Sequence, residues 1–519
     1  MKQRRRLFSS MLALVIVLTM VLAGCSQNGN SGSNAKESGT SNTPSDNTQN
    51  NANAPAAEPE KPVLEPVELS IYYPGTEQKD TVAVEEELNN QLKDKINATI
   101  KIHAIDWGSW AQKINLMVSS GEPFDLMFTA GWDNFSGNVA KGAFLELNDL
   151  IDQYAPETKK QINPFYLTGT AVKGKNYAIP VEKELASQFG IVLNKSMVDK
   201  YKFDLTTIKT FADLEPMLQT INENEPDVTP FWANRNVVGD LPIEAVGNNQ
   251  VPGAIMIGDT NAKIINQFET PEMKDLLNLM RSWNQKGFFQ EDPATKKDAA
   301  AANKAGKVFA QWQQLKPGKA AELSTSFGQE LVQVELTPPY TTNGDLNGSM
   351  TAISRTSKNP ERAMMLINLL HTDAKLVNTL VNGVEGKHYV KSSDNIIKLP
   401  DGVQAGGSGY SPGINYMFGN QFLNYLWDNE DPQKWEKFQA FNDSATQSAL
   451  LGFSYDAEPV KNEESAIVNI FEAYIDGLTT GVMDPAKDLP VFLDKMKKAG
   501  SDKVLAEKQK QVDAFMAAK

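Results

Sequence analysis

One cysteine, Cys25, occurs in the 519 residues of this chain. A lone cysteine excludes an internal disulfide and a thiolate metal cluster. Histidine is almost as scarce: His103, His371 and His388 lie far apart and none stands in H-E-x-x-H spacing, so neither a zinc site nor a Ser-His-Asp triad is indicated. No cofactor and no metal is expected. Excess positive charge is also lacking: 64 acidic residues face 50 basic ones, which argues against nucleic acid and against anionic lipid headgroups as partners. The apolar run Met11–Leu22, about 12 residues long, is too short to cross a bilayer as a helix. Residues 26–62 contain no Val, Ile, Leu, Met, Phe, Tyr or Trp. Such a stretch cannot offset its ordering entropy by burial, so a disordered tether is expected there, with a reach of about 35 Å. No repeat at solenoid spacing is present.

What is present suits a globular body: 41% apolar and 8% aromatic residues can form a proper core. The chain begins with Lys2, Arg4, Arg5 and Arg6, then the apolar run, then small residues. That order is a secretory signal. Leu22-Ala23-Gly24-Cys25 resembles the lipobox of bacterial lipoproteins. The resemblance implies cleavage after Gly24 and acylation of Cys25, where two or more acyl chains anchor stably. The competing reading is an ordinary signal peptide with an incidental cysteine. The expected plan is a signal at 1–24, a lipidated Cys25 with a linker to residue 62, and a body held at the outer face of the cell membrane.

The body opens with a β-α-β-α-β pattern. Val67–Tyr73, Thr99–Ile105 and Phe124–Thr129 read as strands. Thr81–Asn97 reads as a helix with Val82, Leu88, Leu92 and Ile96 inward, and Trp107–Ser119 as another. This argues for an open, largely parallel sheet, with ligands outside the carboxyl ends of its strands. Those ends are Tyr73-Pro74-Gly75, Asp106-Trp107 and Ala130–Asp133. Further helices are expected at Thr210–Asn222, Thr270–Lys286 and Asn359–His371, the last opening on a cap residue, Pro and Glu. Gly402–Gly413 reads as a flexible rim. The tail from Glu463 to Lys519 reads as helical, broken at Gly481, Pro485 and Gly500.

Several stretches together resemble the extracellular solute-binding proteins of ABC importers, the carbohydrate-type family. They are Gly142–Ile151 (GAFLELNDLI), Gly174–Pro180 (GKNYAIP), Val192–Val198 (VLNKSMV), Thr210–Leu214 (TFADL) and Ser354–Met364 (SRTSKNPERAM). Leu193 stands where that family commonly has Tyr. Gly383–Tyr389, Gly452–Asp456, Pro459–Lys461 and Ala499–Gln511 resemble a Gram-positive lipoprotein subgroup that ends in a domain of unknown function. The resemblance implies an α/β, two-lobe periplasmic-binding-protein-like fold of type II. Each lobe is then a sheet covered by helices, and a helical C-terminal extension follows. The implied boundaries are 67–180 for the first lobe with a return segment at about 340–372, 181–339 for the second, and 373–519 for the second lobe's remainder and the extension. It also implies a monomer that closes on a sugar or oligosaccharide and delivers it to a permease, without chemistry of its own.

Sugar pockets combine aromatic platforms with amide, carboxylate and guanidinium hydrogen bonds. Trp132-Asp133, Trp232, Asn234-Arg235, Gln311-Trp312, Tyr73, Trp107 and Glu182 have that make-up near strand ends or crossings. For each, core packing or a contact between lobes competes. A surface polysaccharide hydrolase stays open as an alternative, although no carboxylate pair is marked for it. A surface adhesion or sensor-partner protein, and a receptor for a peptide or other solute, also stay open.

Overall fold

Alternating burial along Val67–Pro74 and Ala98–Ile105 places Leu69, Ile71, Tyr73, Ala98, Ile100 and Ile102 on a covered sheet face. The computed structural model describes residues 64–404 and 406–519. The signal, Cys25 and the 26–62 tether lie outside the described residues. The first sheet has five strands in the order Ala98–Ile105, Val67–Pro74, Leu126–Thr129, Met350–Ile353, Ala178–Pro180. The first three run parallel, while Met350–Ile353 is antiparallel to both its neighbours. The sheet is therefore mixed, because one strand enters only after the chain has returned from the second lobe. Helices Thr81–Ile96, Trp107–Ser120 and Pro360–Thr372 supply much of its cover. On the first of these Val84 is inward and Val82 is 64% exposed, the reverse of the expected face for Val82.

The second lobe is built on a four-stranded sheet in the order Leu331–Glu335, Gln188–Asn194, Val308–Leu315, Thr229–Trp232. Its core gathers Phe231, Leu277, Met280 and Trp283, all almost fully buried. The three C-terminal helices, Lys461–Thr479, Pro485–Lys498 and Ser501–Ala518, pack on that same core through Ile467, Phe471, Phe492, Met496 and Val504. Each large side chain so buried contributes roughly 1.5–3 kcal/mol, so the extension is integral to the lobe. Gly481 and Gly500 separate these helices with positive φ.

Residues 373–427, expected with the second lobe, lie instead largely in the first. Leu376, Val377, Tyr410 and Phe418 are buried in its core. Asp373 gives the reason. It ends one helix and its Oδ1 accepts from Leu376 N at 3.0 Å to cap the next, so the chain turns without a linker and stays where it is. The Gly402–Gly413 loop is likewise tied to this lobe: Tyr410 donates to the Leu380 carbonyl at 2.7 Å and Asp80 N to Gly409 O at 3.1 Å.

Candidate functional site

Three segments pass between the lobes side by side. Ser187 and Tyr340 exchange backbone hydrogen bonds of 2.8 and 2.9 Å, and Tyr340–Thr341 pairs in parallel with Thr446–Gln447. Beside them a cleft of about 810 Å³ opens. That volume lies within the usual range for ligand sites.

The first lobe contributes Trp132 and Phe135 from the turn after Leu126–Thr129, and Thr170–Val172. Trp132 is 59% exposed. Its Nε1 donates to Gly348 O at 2.8 Å, and Trp107 stacks on it at 6.1 Å. Gly131 lets the Asn347 side chain pack close, because a Cβ there would meet Asn347 Oδ1 at 2.2 Å and displace it. The second lobe contributes Phe189 and the Ile243–Ala245/Ala254–Met256 hairpin with Glu244 and Asn249. The C-terminal segment adds Leu450, Phe453, Ser454 and Tyr455. Asn343 holds that segment in place: its Nδ2 donates to Leu450 O at 2.7 Å and Phe453 O at 3.2 Å, and its Oδ1 accepts from Gly452 N at 2.8 Å.

Two carboxylates border the cleft. Glu244 Oε2 accepts from Tyr340 Oη at 2.9 Å and Ser448 Oγ at 2.5 Å. Asp345 accepts from Ser187 Oγ and from Thr342 N and Oγ1. Burial pushes both above the ordinary carboxylate range, with the hydrogen bonds opposing. No Lys, Arg or His is among the described residues lining this cleft. Nor do the described residues bring three or more His, Cys, Asp or Glu side chains together as metal ligands. The arrangement offers aromatic faces beside amides and carboxylates, which suits binding of a neutral polar ring.

Of the residues read from the sequence, the structure places Trp132 on the cleft wall and Trp107 against it. The others stand elsewhere. Tyr73 is buried in the first core against Phe418, and burial pushes its hydroxyl up to about 12. Asp133 accepts from Trp110 Nε1. Glu182 is buried against His371 Nδ1 at 3.1 Å. Trp232 is 8% exposed and donates to Lys297 O. Asn234 caps the short turn that follows it. Arg235 pairs with Glu472 and Asp476. Gln311 is buried on Asn303. Trp312 stacks behind Phe189 at 5.4 Å, one layer back from the cleft. Phe189, Glu244 and Asn343 carried no local signal of a site. Phe453 and Tyr455 did stand in the Gly452–Asp456 motif.

Residues 75–375 match the family described as bacterial extracellular solute-binding protein. The chain belongs to that family. Residues 449–517, which include the cleft residues Leu450 and Phe453–Tyr455, match a domain of unknown function. A carbohydrate ABC transporter substrate-binding protein of Streptococcus pneumoniae is 29% identical over 475 residues, 91% of this chain and 94% of that protein. A solved N-glycan transport solute-binding protein from the same organism superposes with a TM-score of 0.79 at 29% identity, covering 87% of this chain and 99% of that one. Its complex with Man5GlcNAc superposes with a TM-score of 0.67 at 30% identity, covering 88% and 99%.

Proposed function

We propose that this protein is the extracellular receptor of an ABC importer, binding a neutral oligosaccharide in the cleft and handing it to the permease on closure. The observation that carries this reading is the cleft itself: Trp132, Phe189, Phe453 and Tyr455 beside Glu244, Asn249 and Asn343, with no cationic group among its described lining. Hexose rings present carbon faces to aromatic rings and hydroxyls to amides and carboxylates. An anionic sugar would meet two carboxylates and no counter-charge. The N-glycan transport relative supports the ligand class, and its sugar complex fits this chain less well at nearly equal identity. Glu244 Oε2 and both Asp345 oxygens already accept from protein donors, and we propose no enzymatic step.

The test is a thermal-shift and titration panel of Man1GlcNAc, Man5GlcNAc, uronate oligomers and short peptides. Saturation at about 100 times Kd should stabilise the protein by roughly 2.7 kcal/mol. A neutral glycan should bind, and Trp132→Ala should weaken it about tenfold or more. Binding of uronates or peptides alone would sink the neutral-sugar reading. Anchoring through Cys25 has its own check: Cys25→Ser should release the protein into the medium.

A further inference from the structure

Phe453 borders two spaces. One is the cleft. The other is a cavity of about 700 Å³ between first-lobe residues 167–176 and the last turns of the Ser501–Ala518 helix. Ala171, Phe453 and Ser454 line both. Phe515 backs Phe453 with ring centroids 5.4 Å apart and planes at 60°, and both rings are partly exposed. Ala514 and Ala518, one helical turn apart, keep the far side open. The Gly452 backbone comes close to Thr168, since a Cβ there would lie 3.1 Å from the threonine methyl. The C-terminal domain thus reaches the first lobe at the edge of this space. Lys173 borders it as a hydrogen-bond donor, while Gln511 Nε2 already donates to Asp456 O and Glu507 Oε1. Lys173 (φ 52°) and Gly174 (φ 78°) are the two central residues of the tight turn that pairs Val172 with Lys175.

We infer that this cavity is a second sugar compartment, which takes the far arm of an oligosaccharide whose first rings lie in the cleft. The C-terminal domain of unknown function is the element that builds it. This rests on the receptor reading above. The adjacency of the two spaces, which share Ala171, Phe453 and Ser454 as walls, names the occupant: a chain seated in the cleft has its next rings beside this cavity. The aromatic pair offers a face for a further ring. Once the first rings are bound, the arm binds at high effective concentration, so weak contacts in the second space suffice to add affinity.

The experiment is calorimetric titration of Man1GlcNAc and Man5GlcNAc into the wild-type protein and into Ala518→Trp and Ala514→Trp, whose indoles fill the second cavity from exposed positions. Wild type should bind the longer glycan at least about tenfold tighter, a difference of about 1.4 kcal/mol. Both variants should keep wild-type affinity for the short glycan and lose the gain for the long one. Equal affinities in wild type, or a gain that survives both substitutions, overturns the second compartment and leaves the receptor standing. No binding of either glycan to any of the three proteins overturns the cleft reading and this inference with it. Melting temperatures near wild type establish that the variants are folded.

Discussion

The Lys508 ammonium lies behind the cleft wall with little to replace its water. Val251 O is 3.5 Å away and the Tyr455 ring is 5.3 Å away, and the stem crosses Gly253 where a Cβ would meet Lys508 Cδ at 2.3 Å. Desolvation lowers its pKa from 10.5 to about 8, with Glu464 opposing. The unfolded chain therefore holds this proton to about pH 10.5 and the folded one only to about pH 8. Between those limits the unfolded state binds more protons, so raising the pH favours folding. At neutral pH the buried charge destabilises. Lys508→Met should accordingly stabilise the protein at pH 7, by at most about 3 kcal/mol at about 1.4 kcal/mol per pH unit of the gap. That advantage should fade as the pH rises through the same window. Denaturant midpoints of both proteins at neutral and alkaline pH check this; a gain independent of pH would mean that packing, not charge, sets it.

At the scale of elements, Arg235 fastens the C-terminal domain to the second lobe. Its Nε and Nη2 donate to Asp476 at 2.7 and 2.6 Å, and its Nη1 and Nη2 donate to Glu472 at 2.8 Å each. Lys297 shares Asp476 at 2.7 Å. Glu472 and Asp476 are one turn apart on the Lys461–Thr479 helix, so one guanidinium can fork across both. Arg235→Ala should lower stability by about 1–3 kcal/mol, toward the low end because the pair with Glu472 is partly exposed. Glycan affinity should stay within about twofold of wild type. A large loss of affinity with unchanged stability would return Arg235 to the ligand. Helix and strand positions were legible from local pattern: Thr270–Lys286 became Pro271–Gln285, the breaks at Gly481 and Gly500 stand between helices, and Pro485 opens the middle helix of the three. The inward side of Thr81–Ile96 was less legible, since Val82 and Val84 are equally apolar and only packing chooses between them.

For the whole molecule, the receptor reading proposed above implies a closing motion of the two lobes about the three crossing segments. The ligand makes its differential contacts in the closed state and shifts the population toward it. Saturating glycan should therefore reduce the radius of gyration in small-angle scattering, and Trp132→Ala should show the same reduction only at correspondingly higher sugar concentration. An unchanged radius at full occupancy would contradict closure as the signal to the permease.

Short-range information decided the alternation of strands and helices, the breaks in the tail and the family to which the chain belongs. These depend on runs, spacing and turn chemistry within a few residues. The site did not follow from such information. A tryptophan, an arginine or a tyrosine near a strand end has the same composition whether it faces the cleft, as Trp132 does, a helix 241 residues away at Asp476, as Arg235 does, or the core, as Tyr73 does. Only the fold brings Phe453 and Tyr455, near the end of the chain, to the cleft beside Trp132 and Phe189. The physical reason is that burial and partner choice are long-range properties. They are decided by which surfaces meet after the chain has crossed between the lobes, and a local pattern does not carry them.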